Sequence, residues 1–315
     1  MQTEKHSESN KEAQVGIMVC IPTHNAESTI SEVVKRCQEF ADVVLVINDG
    51  STDNSESVAR EAGAEVLTHK KNLGYGGAIK SGLSEAVKRK VKVAITFDAD
   101  LQHDPQDLPK IINPILSGSA DIVIGSRFLE KTDTVKSYRK FGIKLITKLV
   151  NAFSGNNVTD AESGLRSYSF SALKKIVPDL ETEGMGMSSE ILLKASVNNL
   201  KIIEISRKEI YQENVQTSSQ NPLKHGLTVL LTIFKLVIET KPLVAFGIPS
   251  LIFFSLFGIS SFFVIEYYNE MSRLPVGMTL FTITMLSVGF FLMTAGIILY
   301  VLSRISSKLD FHISK

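Results

Sequence analysis

The chain has 315 residues, 44% of them hydrophobic, with 34 Lys and Arg against 33 Asp and Glu for a formal net charge of +1. That near-neutrality excludes a basic nucleic-acid binder and an acidic scaffold. Two cysteines, Cys20 and Cys37, offer neither a disulfide framework nor zinc spacing and read as reduced packing residues.

Residues 1–14 are polar and carry no apolar core, so they read as a disordered tail rather than a signal peptide or transit helix. Val15 to Ile21 is a short apolar run. After Pro22-Thr23-His24-Asn25, apolar residues recur at helical spacing, placing Ile30, Val33, Val34 and Cys37 on one face. The strand–loop–helix pattern then repeats. Val43 to Ile47 precedes a helix from Asp53 to Glu61, and Glu65 to Leu67 precedes one from Gly76 to Val87. Val91 to Phe97 precedes a helix from Pro105 to Leu116, and Asp121 to Ile124 follows as another strand. Such alternation predicts an α/β fold with a mostly parallel, Rossmann-like sheet, helices on both faces and right-handed crossovers. In that architecture the loops after the strands carry the chemistry.

Those loops are polar. Asn48-Asp49-Gly50-Ser51-Thr52-Asp53 supplies a carboxylate, a glycine turn and a helix start within six residues. Asn72-Leu73-Gly74-Tyr75-Gly76-Gly77 superficially resembles a dinucleotide fingerprint, but it follows the third strand and lacks the G-x-G-x-x-G spacing. A tight turn with close helix packing explains these glycines better. Asp98-Ala99-Asp100 closes the fourth strand and sends two carboxylates to the sheet's carboxyl edge, a seat for a divalent cation carrying phosphates. The small Ala99 leaves room for a diphosphate-sized ligand, and Leu101-Gln102-His103 extends the loop with polar groups. His24 reads as a pocket wall, since no second histidine is spaced to join it on a metal.

The composition shifts near residue 240. Leu243 to Ile265 and Val276 to Ser303 carry no charged side chain, and the first alone spans roughly 34 Å as a helix, enough for a bilayer core of about 30 Å. The connector from Glu266 to Pro275 holds one basic residue, Arg273, whereas Lys235, Lys241, Arg304, Lys308 and Lys315 flank the spans on the other side. The positive-inside rule then puts the large domain in the cytoplasm of an integral membrane protein. The expected division is a tail at 1–14, a catalytic domain at 15–222, an interfacial amphipathic helix at 223–242, spans at 243–265 and 276–303, and a cytoplasmic tail at 304–315. The spans also offer a route to homo-oligomers.

Taken in order, Val19-Cys20-Ile21-Pro22-Thr23-His24-Asn25, Asn48 to Asp53, Asp98 to His103 and Gly125-Ser126-Arg127-Phe128 resemble the inverting family 2 glycosyltransferases. Within that family the chain is most similar to the dolichyl-phosphate and polyprenyl-phosphate sugar synthases, over about residues 15 to 210. The resemblance implies transfer from a nucleotide sugar, GDP-mannose or a UDP-hexose or N-acetylhexosamine, to a lipid phosphate at the cytoplasmic membrane face. Pro22, Asn25, Glu27, Asp49, Ala99 and Gln102 would then bind the donor, with Asp49 reaching its base or ribose. Asp98, Asp100 and Gln102 would hold Mg²⁺ or Mn²⁺. Arg127, Ser137, Arg139 and Ser163, with the segment from Thr159 to Arg166, would meet the acceptor phosphate. Asp98, Asp100, Arg127 and Asp160 would be the catalytic set, Asp160 orienting either the acceptor or an arginine. No general base is needed, because a lipid phosphate is already an anion.

The chain departs from the mannose synthases downstream, where their Arg- and Lys-rich loop is replaced by Tyr211 to Pro222. The donor is therefore open. A processive polysaccharide synthase is disfavoured, since such enzymes carry a Gln-x-x-Arg-Trp motif and this chain has no tryptophan. Two alternatives stay open at this point: a membrane-anchored transferase for another lipid or glycan acceptor, and a non-catalytic sugar-nucleotide-binding membrane protein.

Overall fold

The structure, a computed structural model, describes residues 16–130, 137–207, 228, 231, 232, 234, 235, 237, 238 and 241–313. The expected tail at 1–14, the loop from Tyr211 to Pro222 and much of the expected interfacial helix at 223–242 lie outside the described residues. The chain divides into two compact units between Thr232 and Ile233.

The first unit is built on seven strands: β1 (Ile17–Thr23), β2 (Val43–Asn48), β3 (Glu65–Thr68), β4 (Val93–Thr96), β5 (Ile122–Ser126), β6 (Arg166–Ser169) and β7 (Ile202–Ser206). They form one sheet in the order β3-β2-β1-β4-β6-β5-β7. Every neighbouring pair is parallel except the two that β6 makes, antiparallel to β4 and to β5. The central strands read as uninterrupted apolar runs because both sheet faces are covered; all of β4 and all of β5 are buried. Helices α1 (Ile30–Cys37), α2 (Ser55–Glu61), α3 (Gly74–Lys88) and α4 (Leu108–Leu116) follow the first four strands as expected. Helix α1 buries Ile30, Val33, Val34 and Cys37, the face its spacing predicts. Helix α4 buries Leu108, Ile111, Ile112 and Ile115 into the same core as Val19, Val46, Ile95 and Phe97. Helices α5 (Ser137–Ser154), α6 (Phe170–Ile176) and α7 (Met187–Val197) complete the unit.

Two features of this topology place the site. The strand order reverses between β2-β1 and β4, opening a crevice at the carboxyl edge. Because β6 runs antiparallel, with Arg166 opposite both Thr96 and Ile124, the segment entering it lies at the same edge as the loops leaving β4 and β5.

The glycines before α3 do what close packing requires. Gly74 has φ of +84°, and a Cβ at Gly76 would lie 2.3 Å from the Thr182 carbonyl oxygen. The backbone N–H of Gly76 donates to the Glu183 carbonyl at 2.8 Å.

In the second unit, α8 (Pro242–Met271) and α9 (Val276–Ile313) form an antiparallel hairpin reversed at Ser272, whose φ is +49°. Both helices are long and apolar enough to cross a membrane, with mean hydropathies of 2.1 and 2.2 over Pro242–Met271 and Val276–Ser303. Only 11% of the residues in either apolar window are buried, so neither is a core helix. Small residues bring the pair together: a Cβ at Gly289 would meet the Phe254 ring, one at Gly296 would meet Phe246, and the Phe254 and Phe290 rings pack edge to face at 5.3 Å.

Candidate active site

Strand β4 ends at Thr96, and the buried Phe97 leads directly into Asp98. Two groups hold the Asp98 carboxylate: the Tyr75 hydroxyl donates to Oδ1 at 3.2 Å, and His103 Nε2–H donates to Oδ2 at 2.9 Å. Gly164 backs it so closely that a Cβ there would fall 2.1 Å from Oδ2. His103 is buried and edge-on to the Phe97 ring. Asp100 Oδ1 accepts the Gln102 backbone N–H at 3.0 Å, across Leu101, which sits at φ of +59°. Left-handed backbone at a bulky residue is strained, and here it turns Asp100 and Gln102 within one loop.

Electrostatics set the two carboxylates apart. Burial alone would raise Asp98, but the hydrogen bond and charge of His103, the charge of Arg207 and the bond from Tyr75 hold it below the usual carboxylate range. Burial, and then repulsion from Asp98, push Asp100 above it. A cation between them relieves that repulsion. Gln102 is buried, and its Nε2 has no protein partner among the described residues. Such an amide is available to a ligand, its oxygen to a cation or its nitrogen to a phosphate. No group of three or more His, Cys, Asp and Glu is arranged to hold a metal among the described residues. Two carboxylates and an amide fit Mg²⁺ or Mn²⁺ completed by diphosphate oxygens and water, the usual way these ions bind with phosphates.

The loops expected to bind the donor are tied to one another. Asn25 Oδ1 accepts the Thr52 N–H at 2.9 Å, and the Glu27 carboxylate accepts the Asn54 N–H at 3.1 Å. Pro22 is half-buried in β1, and Ala99 is buried beside Asp98. Asp49 is also tied to the protein. It is buried, and its carboxylate accepts Leu73 N–H and Gly74 N–H at 2.8 Å each and His69 Nδ1–H at 2.7 Å. Asp49 therefore shapes the turn before α3, and a base or ribose would share it with three protein donors. His24, with Nδ1 3.1 Å from the Asp49 carbonyl oxygen, is exposed on this wall.

The acceptor segment is where expectation and structure differ most. Arg127 is buried and spends Nε and Nη2 on Asp160 at 2.7 and 2.8 Å, so its fork is closed on a carboxylate. Of the two roles open to Asp160, the geometry selects orienting an arginine. Burial would raise the Asp160 carboxyl, but the charge and hydrogen bonds of Arg127 hold it below the usual range. Ser163 is fully buried and donates to the Gly125 carbonyl at 2.6 Å, so its proton is spent inside the protein. Arg166 is also buried, donating to the carbonyls of Ser163, Ala161 and Ser188. From β7, Glu204 accepts the N–H groups of Thr159 and Asp160 at 2.8 and 3.0 Å. Ser137 begins α5, and Arg139 is half-buried on its first turn.

Three residues of the site carry no sequence signal of their own. Tyr75 looked like part of a glycine turn. His103 ended a loop motif. Arg207 follows β7, far from any motif, yet it is buried, donates Nε–H to the Gly125 carbonyl at 3.1 Å and lowers Asp98, Asp100 and Asp160 together.

Comparison with known proteins bears on the family and the fold. Residues 18–177 match the family described as Glycosyl transferase family 2. A protein of unassigned function from Methanocaldococcus jannaschii is 36% identical over 75% of this chain and 97% of its own length. The UDP-N-acetylglucosamine–dolichyl-phosphate N-acetylglucosaminyltransferase of Methanococcus voltae is 34% identical over 62% of this chain and 86% of its own. The dolichol-phosphate mannosyltransferase of Pyrococcus furiosus is 30% identical over 60% and 55%. Glucosyl-3-phosphoglycerate synthase from Mycobacterium tuberculosis, solved with Mn²⁺, UDP and glucosyl-3-phosphoglycerate, shares the fold with a TM-score of 0.56 at 19% identity, over 71% of this chain and 80% of that one.

Arg127→Ala strands the Asp160 charge in the interior and is expected to destabilise the first unit by about 3–5 kcal/mol. Replacing both residues by apolar ones of similar volume is expected to cost much less. Thermal melts of the single and double variants check this; an Arg127→Ala variant as stable as the parent contradicts it.

Glu162, hydrogen-bonded by Ser189 at 2.8 Å, is pushed by burial from 4.5 to about 7. The folded chain thus keeps a proton that the unfolded chain releases, and stability falls as pH rises from about 4.5 to about 7. Glu162→Gln is expected to remove that part of the slope in unfolding measured across this window. An unchanged slope would assign it elsewhere.

Proposed function

Because the chain belongs to glycosyl transferase family 2 and is a glycosyltransferase, we propose that it moves a sugar from a nucleoside-diphosphate donor to a polyprenyl or dolichyl phosphate. The observation that carries this reading is the corner after β4, where two mutually repelling carboxylates stand beside a buried amide nitrogen that has no partner among the described residues. Asp98, Asp100 and Gln102 would hold Mg²⁺ or Mn²⁺. When bound, such an ion supplies Lewis-acid neutralisation of the charge that develops on the leaving diphosphate.

The chain's own groups supply the rest. Tyr75 and His103 orient Asp98, and the tied loops of Asn25, Glu27 and Asp49 form the nucleoside wall. Arg207 adds positive potential where donor and acceptor phosphates would approach, and low-dielectric surroundings strengthen its pull. The acceptor oxygen is anionic at neutral pH, so attack on the anomeric carbon from the face opposite the diphosphate needs alignment rather than a base, and it inverts the centre. With Arg127, Ser163 and Arg166 committed to the fold, Arg139 and the basic helix α5 are the better acceptor contacts. Helix α5 has no acidic residue and exposes Phe141 and Leu145 beside Lys144 and Lys148, a face suited to an anionic headgroup layer. The relatives named for lipid-phosphate acceptors and the two apolar helices support a membrane location. The distribution of lysine and arginine supports a cytoplasmic catalytic unit. Between UDP- and GDP-sugars, the more similar of the two named transferases favours testing a UDP-N-acetylhexosamine first.

The full-length protein in detergent with polyprenyl phosphate and radiolabelled nucleotide sugars should yield a sugar phospholipid. Chelation, or Asp100→Ala, is expected to reduce transfer by about a hundredfold or more. Full turnover after verified metal removal would overturn the metal assignment, and no transfer from any nucleotide sugar to lipid phosphate would overturn the acceptor class.

A further inference from the structure

We propose that Tyr75 is a positioning residue for the cation site, acting through Asp98; this rests on the reading of Asp98 as a metal ligand given above. Its hydroxyl donates to Asp98 Oδ1 while His103 Nε2–H donates to Oδ2. Gly164 leaves no room for a Cβ beside Oδ2, so the carboxylate is held by one hydrogen bond on each oxygen with the chain close behind it. The Tyr75 bond fixes the Oδ1 end.

The turn that carries Tyr75 is held independently of Asp98. On one side, Asp49 accepts the N–H groups of Leu73 and Gly74 at 2.8 Å each, and Asp49 is itself oriented by His69, whose Nε2 lies 2.9 Å from Ser81 Oγ. On the other, Gly76 N–H donates to the Glu183 carbonyl at 2.8 Å. The segment bearing Glu183 is anchored in turn by Glu190, which accepts the N–H groups of Glu181 and Thr182 at 2.9 and 2.8 Å. Tyr75 therefore starts from a backbone fixed on both flanks. Tyr75 also lines a small cavity with Gly164, Arg166 and Tyr168, and its hydroxyl is directed to Asp98 by the hydrogen bond to Oδ1.

Orientation matters because Mg²⁺ demands near-ideal octahedral geometry, and groups that orient a ligating carboxylate typically change metal affinity or activity by about 10–100-fold when removed. The turn also connects the loop that would receive the nucleoside to the carboxylate that would receive the metal, through Asp49, the Leu73-Gly74 backbone and Tyr75.

The test is Mn²⁺ binding by the full-length protein in detergent without nucleotide, followed by the electron paramagnetic resonance of free Mn²⁺. The parent, Tyr75→Phe and Asp98→Asn are compared, with melting temperatures as the fold control. Tyr75→Phe keeps the ring and is expected to weaken Mn²⁺ binding roughly tenfold. In transfer assays it should lower kcat more than it raises the donor KM. Parent-like Mn²⁺ affinity in Tyr75→Phe, with binding lost in Asp98→Asn, would reduce Tyr75 to a packing residue and overturn the proposal. Parent-like affinity in Asp98→Asn would instead bring down the metal reading of Asp98, and the proposal with it.

Discussion

Two half-buried carboxylates at the end of one strand are the constraint around which the site is arranged. Asp98 and Asp100 repel one another, and the low dielectric of the sheet edge amplifies that repulsion. The fold answers with unlike groups brought from distant parts of the chain: Tyr75 from α3, His103 from the same loop and Arg207 from the end of β7. These lower the cost for Asp98 and leave Asp100 raised. On the proposed reading, a divalent cation with a diphosphate would complete such a balance, its charge opposing the carboxylates and its open positions taking phosphate oxygens.

The acceptor side shows how the same edge is made rigid. Because β6 runs against its neighbours, the segment from Thr159 to Leu165 passes over the carboxyl ends of β4 and β5. Glu204, Arg127, Arg166 and the Ser163 hydroxyl fasten it from four directions. Two of those fasteners are arginines that a motif reading assigns to substrate. Their positive charge still shapes the local potential, while their hydrogen bonds belong to the protein.

Much of the fold was legible in the chain because its signals are local. The alternation of apolar runs with amphipathic helices located β1 to β5 and α1 to α4 to within a few residues, and the two uncharged stretches located α8 and α9. The glycines after β3 were correctly assigned to a turn and close packing. Strands β6 and β7 were not anticipated individually: Arg166-Ser167-Tyr168-Ser169 is short and polar, and it is a strand only because β4 and β5 pair with it on both sides. Side-chain commitments were hidden for a related reason. An arginine at a strand end looks the same in sequence whether it faces a phosphate or a carboxylate 33 positions away, and Arg127 faces the latter. That Asp49 also holds the turn before α3 was hidden, because nothing local shows that the backbone of Leu73 and Gly74 returns to meet it. Arg207 left no trace, since its importance comes from sheet order alone.

The central claim, that the corner after β4 seats a divalent cation carrying the donor's diphosphate, is most directly tested by anomalous diffraction at the manganese edge from crystals grown with UDP and Mn²⁺. The account predicts one strong anomalous peak within coordination distance of the Asp98 and Asp100 carboxylates, next to the UDP phosphates. Ordered UDP with no such peak, or a peak ligated by other residues, would contradict it.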